Sequence, residues 1–192
     1  MRIKPLVKVG RPVELTKRFF GKAMVRQSYR RRNNGTIEDY YFFGHSSQWA
    51  SIVFPLTPTD EVVAIRQFRP AVGKAILELP GGTLEDEATP EIVARQELTE
   101  ETGYVARELL ALTPQPIFIE PANTALSYHL YLATGCLPTG EQSLSPTEDI
   151  EVVLMPLRTW IQKIRRGHIQ DGRSIVATFL ALPHLKAWAG LV

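Results

Sequence analysis

Short apolar runs, broken by clusters of Gly, Pro, Asn, Asp and Thr, dominate the chain, and most alternate as half-buried strands do. The stretch "GKAMVRQSYRRRNNGTIEDYYFFGH" holds two β-prone arms joined by Asn33-Asn34-Gly35, a hairpin signal. Residues 1–47 therefore read as an N-terminal arm of strands. "ASIVFPLT" and "EVVAIRQFRP" read as two further strands turned at "PTD". "AILELP" is a shorter strand stopped by Pro80-Gly81-Gly82, and "ELLALTPQPIF", "SYHLYLATG" and "IEVVLMPL" are strand-like as well.

Helical spacing enters at Thr89. Thr is a good N-cap, Pro90 suits the first helical position and Glu91 favours the positive end of the dipole. The pattern predicts a helix over 90–101 that stops near Gly103. "RTWIQKIRRG" predicts a second helix, with Trp160, Ile161 and Ile164 on one side and Gly167 as its stop. "SIVATFLALPHLKAWAG" predicts a final apolar helix, bent or interrupted near Pro183. Strands mixed with a few helices point to α+β or α/β layers.

Composition narrows the class without naming it. The 192 residues suit one domain, or one domain plus an arm. With 44% hydrophobic and 22% charged residues the chain has the balance of a folded globular protein. A net charge of +2 is too small to argue for nucleic acid by itself, and nucleic acid is not the expected partner. The basic run Arg30-Arg31-Arg32 reads as a solvated hairpin face or a phosphate-facing patch. Cys136 stands alone, so no internal disulfide forms, a reducing compartment fits, and packing is its expected role. No secretory leader is evident and no run reaches the ~18 apolar residues of a membrane span, so a cytoplasmic protein is expected.

"VARQELTEETGY" raises a chemical question. Glu97, Glu100 and Glu101 fall on an arc of roughly 100° of the helix, where like charges repel. Ala94 and Leu98 lie beside that arc and can pack inward, which puts the carboxylates at the edge of the buried face. Two readings stay open: a solvated acidic helix end, or a seat for a cation. Hard, clustered oxygen ligands are what Mg²⁺ or Mn²⁺ require, and attack on phosphorus is the chemistry that uses them. The Gly-rich "LPGGTLEDE" upstream lets backbone approach a ligand closely.

The stretch "LELPGGTLEDEATPEIVARQELTEETGY" resembles the Nudix box, G-x5-E-x7-R-E-U-x-E-E-x-G-U with U a bulky apolar residue. Gly82 opens it, and Glu97, Leu98, Glu100, Glu101, Gly103 and Tyr104 match its later positions. Ala88 stands where the family has Glu, and Gln96 where it has Arg. A register from Gly81, with Glu87 and Arg95 in those roles, needs an insertion in the helix. The ungapped register is preferred, because a slip rotates every later carboxylate by ~100°. "VVAIRQFRPAVGKAILELPGG", "HLYLA", "TEDIEVVLMPL" and "RRGHIQDGRSIVATFLAL" look like the ADP-ribose pyrophosphatase-like branch. The resemblance covers roughly 60–192, with a weaker N-terminal match.

This resemblance implies an α+β fold of the Nudix type, an α/β/α sandwich with a mixed central sheet and flanking helices. It divides the chain into an N-terminal β arm at 1–47, for dimerisation, and a hydrolase domain at 48–192. It implies that Glu97 and Glu101 bind Mg²⁺ (Mn²⁺ as an alternative) and that the Gly81 carbonyl is a backbone ligand. Glu100 adds a ligand or acts on the water. Arg69 is implied as a substrate-phosphate arginine, against the plainer reading of a surface residue at a strand end. Glu85 is a candidate for substrate or the surrounding water. Glu148 is the choice for the catalytic base, with Glu151 and Glu120 behind it, and Asn123 reads as a turn residue or a ribose contact. The implied reaction is hydrolysis of the diphosphate in a nucleoside diphosphate derivative. ADP-ribose would give AMP and ribose 5-phosphate, and a nucleotide sugar is the other substrate class. The alternative is a catalytically weak Nudix-fold nucleotide-binding or regulatory module, motivated by Ala88 and Gln96. An RNA-directed hydrolase, motivated by Arg30–Arg32, is a third. A homodimer is implied, in which Tyr29, Tyr40, Tyr41 and Phe42 wall a base pocket or pack a dimer core.

Overall fold

A computed structural model describes residues 6–16, 24–32, 34–43, 49–83 and 88–185. In chain order the elements are β1 (Val7–Glu14), β2 (Met24–Arg30), β3 (Ile37–Phe43), β4 (Trp49–Leu56), β5 (Glu61–Arg69), β6 (Lys74–Glu78), β7 (Gly81–Thr83) and α1 (Pro90–Thr102). There follow β8 (Tyr104–Val105), β9 (Glu108–Ala111), β10 (Ser127–Thr134), β11 (Leu137–Pro138), β12 (Ile150–Pro156), α2 (Leu157–Arg165) and α3 (Gly172–Ala181). A 3₁₀ turn at Leu182–His184 ends the described helices.

Two compact units emerge. One comprises Met1–Gln48 with Phe118–Ser127, and the other Trp49–Ile117 with Tyr128–Val192. In the first, β1, β2 and β3 form an antiparallel sheet, and the β2–β3 hairpin turns through Gly35 at φ 74°, as the Asn-Gly signal predicts. Arg31 pairs with Glu38 across that hairpin at 2.7 Å, with both side chains solvated. Val7, Val13, Ile37, Tyr41 and Phe43 remain exposed on this sheet.

The second unit is built on a sheet ordered β12-β5-β4-β10-β9, with β6 paired to β5 and β7 to β4. Every residue of β4 after Trp49 is buried, the mark of a strand covered on both faces. Val53 packs with Val63, Ala94, Leu98, Tyr131, Ala133 and Cys136 beneath α1. α3 also lies against β4, and side chains alternate along a strand, so neighbours of Val53 serve the other face. Trp160 Nε1 donates to Thr178 Oγ1 at 2.8 Å and ties α2 to α3 in the interior.

α1 has the ends its sequence predicts. Thr89 Oγ1 accepts from Ile92 N, and Gly103 sits at φ 71° and donates to Thr99 O. Two expectations need correction. The strand expected over "ELLALTPQPIF" holds only Glu108–Ala111, because Pro114 and Pro116 have no N–H for a ladder. The helix expected from Ser174 starts earlier, at Gly172 under an Asp171 cap, and gives way at Ala181 to the 3₁₀ turn containing Pro183. Its expected continuation over 186–192 lies outside the described residues.

Candidate active site at the carboxylate edge of α1

Ala94 and Leu98 are fully buried, which fixes the rotation of α1 and turns Glu97 and Glu101 toward β7. Two adjacent glycines receive them. Gly81 N donates to Glu101 Oε2 at 2.7 Å. A Cβ on Gly82 would lie 2.0 Å from Glu97 Oε1, so only glycine leaves that carboxylate its place. A Cβ on Gly81 would lie 2.2 Å from Ser51 O, in backbone that cannot yield. The helix runs without interruption from Pro90 to Thr102.

The electrostatics of this edge are unusual for carboxylates. Glu101 is 5% exposed. Burial pushes its pKa up to about 8, the Gly81 N–H and the Arg69 guanidinium pull it down, and Glu97 and Glu148 push it up. Burial, then Glu100, then Glu148, raise Glu97 to about 7. Desolvated carboxylates that repel one another are stabilised by a counter-charge. All-oxygen donors of this kind suit a hard divalent cation such as Mg²⁺ or Mn²⁺. Among the described residues, no three His, Cys, Asp or Glu side chains converge as a preformed cage. Glu100 is engaged by a neighbour on its own helix: Gln96 Nε2 donates to its Oε1 at 2.9 Å. Arg95, the Arg of the rejected register, pairs instead with Glu91 on the solvated side of α1.

Arg69, the last residue of β5, is not a free surface arginine. Its Nε and Nη2 grip Glu78 Oε1 and Oε2 at 2.8 and 2.5 Å, and Glu78 is 1% exposed. Arg173 Nη2 reaches the same Glu78 Oε2 at 2.9 Å while its Nε holds Asp171 Oδ1 at 2.8 Å. Asp171 in turn caps α3 at Ser174, whose Oγ accepts from Leu79 N at 2.8 Å. Sequence reasoning missed Glu78, Arg173 and Asp171. The signals were a carboxylate inside the apolar run "AILELP" and the "DGRS" that opens α3.

Glu148 Oε2 accepts from Ser145 N at 2.8 Å, in a turn closed by Glu148 N on Ser145 O at 3.0 Å. Its charge is felt by both Glu97 and Glu101. Glu151 is occupied elsewhere, opposite Arg66 across the β12–β5 pair, with Arg66 Nη1 at 2.9 Å on an exposed face. Glu120 closes a turn by accepting from Asn123 Nδ2 at 2.5 Å, and this gives Asn123 the turn role. Glu85 lies outside the described residues. In the first unit, Tyr29, Tyr40, Tyr41 and Phe42 help line a cavity of about 340 Å³, with Tyr29 and Tyr40 edge to face at 5.4 Å. Cys136 is buried in the core, where burial pushes its thiol up to about 11, consistent with packing alone.

Comparison with known proteins places this geometry. The chain is 30% identical over 133 residues to a methanol dehydrogenase activator of Bacillus methanolicus, covering 67% of this chain and 69% of the relative. It is 29% identical over 129 residues to an ADP-ribose pyrophosphatase of Bacillus subtilis, with the same two coverages. It is 32% identical over 133 residues to a GDP-mannose pyrophosphatase of Cronobacter sakazakii, covering 65% and 66%. A crystal structure of an ADP compounds hydrolase superposes with a TM-score of 0.82 over 100% of both chains at 19% identity, a likeness of fold. The family model for the NUDIX domain matches residues 46–171, which span the sheet, both glycines, α1 and the Glu148 turn. Family match, α+β sandwich and carboxylate edge agree: the chain belongs to the NUDIX family and resembles its ADP-ribose pyrophosphatase-like branch.

Proposed function

We propose that this NUDIX-family chain is a divalent-cation-dependent pyrophosphohydrolase that cleaves the diphosphate of a nucleoside diphosphate derivative. The single observation that carries the reading is the pair of desolvated carboxylates, Glu97 and Glu101, set against Gly82 and Gly81. Relatives named for ADP-ribose and GDP-mannose pyrophosphatase activity support the substrate class. ADP-ribose, yielding AMP and ribose 5-phosphate, is the favoured substrate, with a nucleotide sugar second.

Glu97 and Glu101 would hold Mg²⁺, with Glu100 and the Gly81 carbonyl completing the protein's share. A hard divalent cation at such a site supplies charge neutralisation and activation of water. The remaining work falls to side chains. Arg69 spends its Nε and Nη2 on Glu78, which orients the guanidinium and, among the described residues, leaves Nη1 for phosphate oxygens. Glu148 takes the proton from the attacking water as its oxygen approaches phosphorus, and the phosphomonoester departs. The first unit supports a homodimer, since its exposed Val7, Ile37, Tyr41 and Phe43 gain by burial. Its tyrosine-lined cavity is by itself a candidate seat for a nucleobase.

The test is a panel of ADP-ribose, GDP-mannose and dinucleoside diphosphates, with Mg²⁺ and Mn²⁺ compared and Glu101→Gln as control. Cation-dependent phosphomonoester release, lost in the variant while its circular dichroism is retained, supports the reading. Nucleotide binding by calorimetry without turnover in either cation favours the second reading, a binding or regulatory module. Ala88, Gln96 and the relative named as an activator motivate that alternative.

A further inference from the structure

The last turn of any helix leaves carbonyls without intrahelical partners. At the end of α1, the carbonyls of Glu100 and Glu101 and that of the capping Gly103 are taken up by one stretch of chain, residues 139–143. Thr139 N donates to Gly103 O at 2.9 Å, Ser143 N to Glu100 O at 2.9 Å and Gln142 Nε2 to Glu101 O at 2.6 Å. The stretch lies flat against the helix end, since a Cβ on Gly103 would meet Gly140 O at 2.5 Å. Gln142 does one thing more. Its Nε2 also donates to Ile150 O at 3.1 Å, at the first residue of β12. A single carboxamide thus joins the residue that carries the Glu101 side chain to the start of the strand after Glu148. Residues 143–149, Glu148 among them, form a loop whose two ends are stapled together at Gln142. Among the described residues, Ser143 N ties the first residue of that loop to Glu100 O, and the bonds after it are local, between Ser145 and Thr147 and between Ser145 and Glu148. Its footing on the domain comes from Ser143 N on Glu100 O and the Gln142 staple at one end, and from β12, paired to β5 from Ile150 onward, at the other.

We propose that Gln142 is a positioning residue, whose bridge between Glu101 O and Ile150 O sets Glu148 in register with the carboxylates of α1. This rests on the reading of Glu148 as the base. The residue type follows from the task. Two carbonyls must be met by one side chain, and a primary amide brings two N–H donors. Methionine has the same length and no donor. Glutamate would turn acceptor oxygens toward two carbonyls.

The experiment compares wild type, Gln142→Met, Glu148→Gln and the double variant on ADP-ribose and GDP-mannose with Mg²⁺. Amide hydrogen exchange and Mg²⁺-induced melting shifts are followed alongside. In Gln142→Met, kcat falls by about tenfold to a hundredfold, as expected for a base displaced by an ångström or so. KM stays within about twofold, because ground-state binding is not touched. Exchange at Ser143 and Glu148 accelerates while Leu98, inside α1, stays protected, and the Mg²⁺ shift is unchanged. The double variant is no slower than Glu148→Gln alone, since one residue acts through the other. Wild-type exchange at Ser143 and Glu148 in Gln142→Met overturns the proposal. So does an unchanged kcat where Glu148→Gln is inactive. If wild type turns over neither substrate, the enzymatic reading fails by itself, and the exchange result still decides whether Gln142 holds the loop.

Discussion

Glu101 is protonated in the folded protein at pH values where the unfolded chain has already released its proton, because burial raises its pKa to about 8. The sign of the consequence is fixed. A carboxyl whose folded pKa exceeds its unfolded one binds more protons when folded, so stability falls as pH rises between the two values. In chelator, the melting temperature of wild type relative to Glu101→Gln should therefore drop from about pH 4.5 to about pH 8 and level off above. Added Mg²⁺ should restore more at pH 8 than at pH 5.5, since protons compete with the cation for the same oxygens. The two glycines beneath should respond differently. Gly82→Ala meets only the end of a flexible side chain, so the fold survives while Glu97 is pushed aside. A largely retained melting temperature with a lost Mg²⁺ shift is expected. Gly81→Ala meets Ser51 O and Ile52 backbone, so soluble folded protein itself should diminish.

At the scale of elements, β6 and the start of α3 are fastened to the end of β5 through one carboxylate. Replacing Glu78 by Gln leaves Arg69 and Arg173 facing each other without the charge between them. Breaking such a buried pair costs about 3 kcal/mol, the lower end of the usual range because both arginines can partly rehydrate. Urea denaturation would check that loss, and a raised KM would show that Arg69 has lost its aim. This network also marks what the sequence could and could not tell. α1 was readable at both ends, because Thr89, Pro90 and Gly103 act locally, and Ala94 and Leu98 gave its buried face. The hairpin was readable at Asn-Gly for the same reason. The Glu78–Arg173 contact joins residues far apart in the chain, and no local propensity encodes it. The strand expected to continue past Ala111 failed where prolines remove donors, a signal present in "TPQPIF" that the apolar pattern overrode. The glutamates of the site were legible as a cluster, but the hydrogen bond that Gln96 donates to Glu100 depends on which neighbour that carboxamide selects.

For the molecule as a whole, the exposed apolar residues of the first unit make self-association the expected state. Light scattering should give about twice 21.6 kDa, and Tyr41→Glu combined with Phe43→Glu should return the monomer mass. A concentration-independent monomer for wild type would remove the dimer from the account. The second unit keeps a quieter feature. Cys136, the chain's single thiol, has no solvent access and packs in the cluster that seats α1. A colourless reagent such as a maleimide can reach it only when that cluster parts. Labelling rates, timed by mass spectrometry, would clock how often the floor beneath the glutamates breathes, with no reporter group to engineer and a single covalent adduct to count.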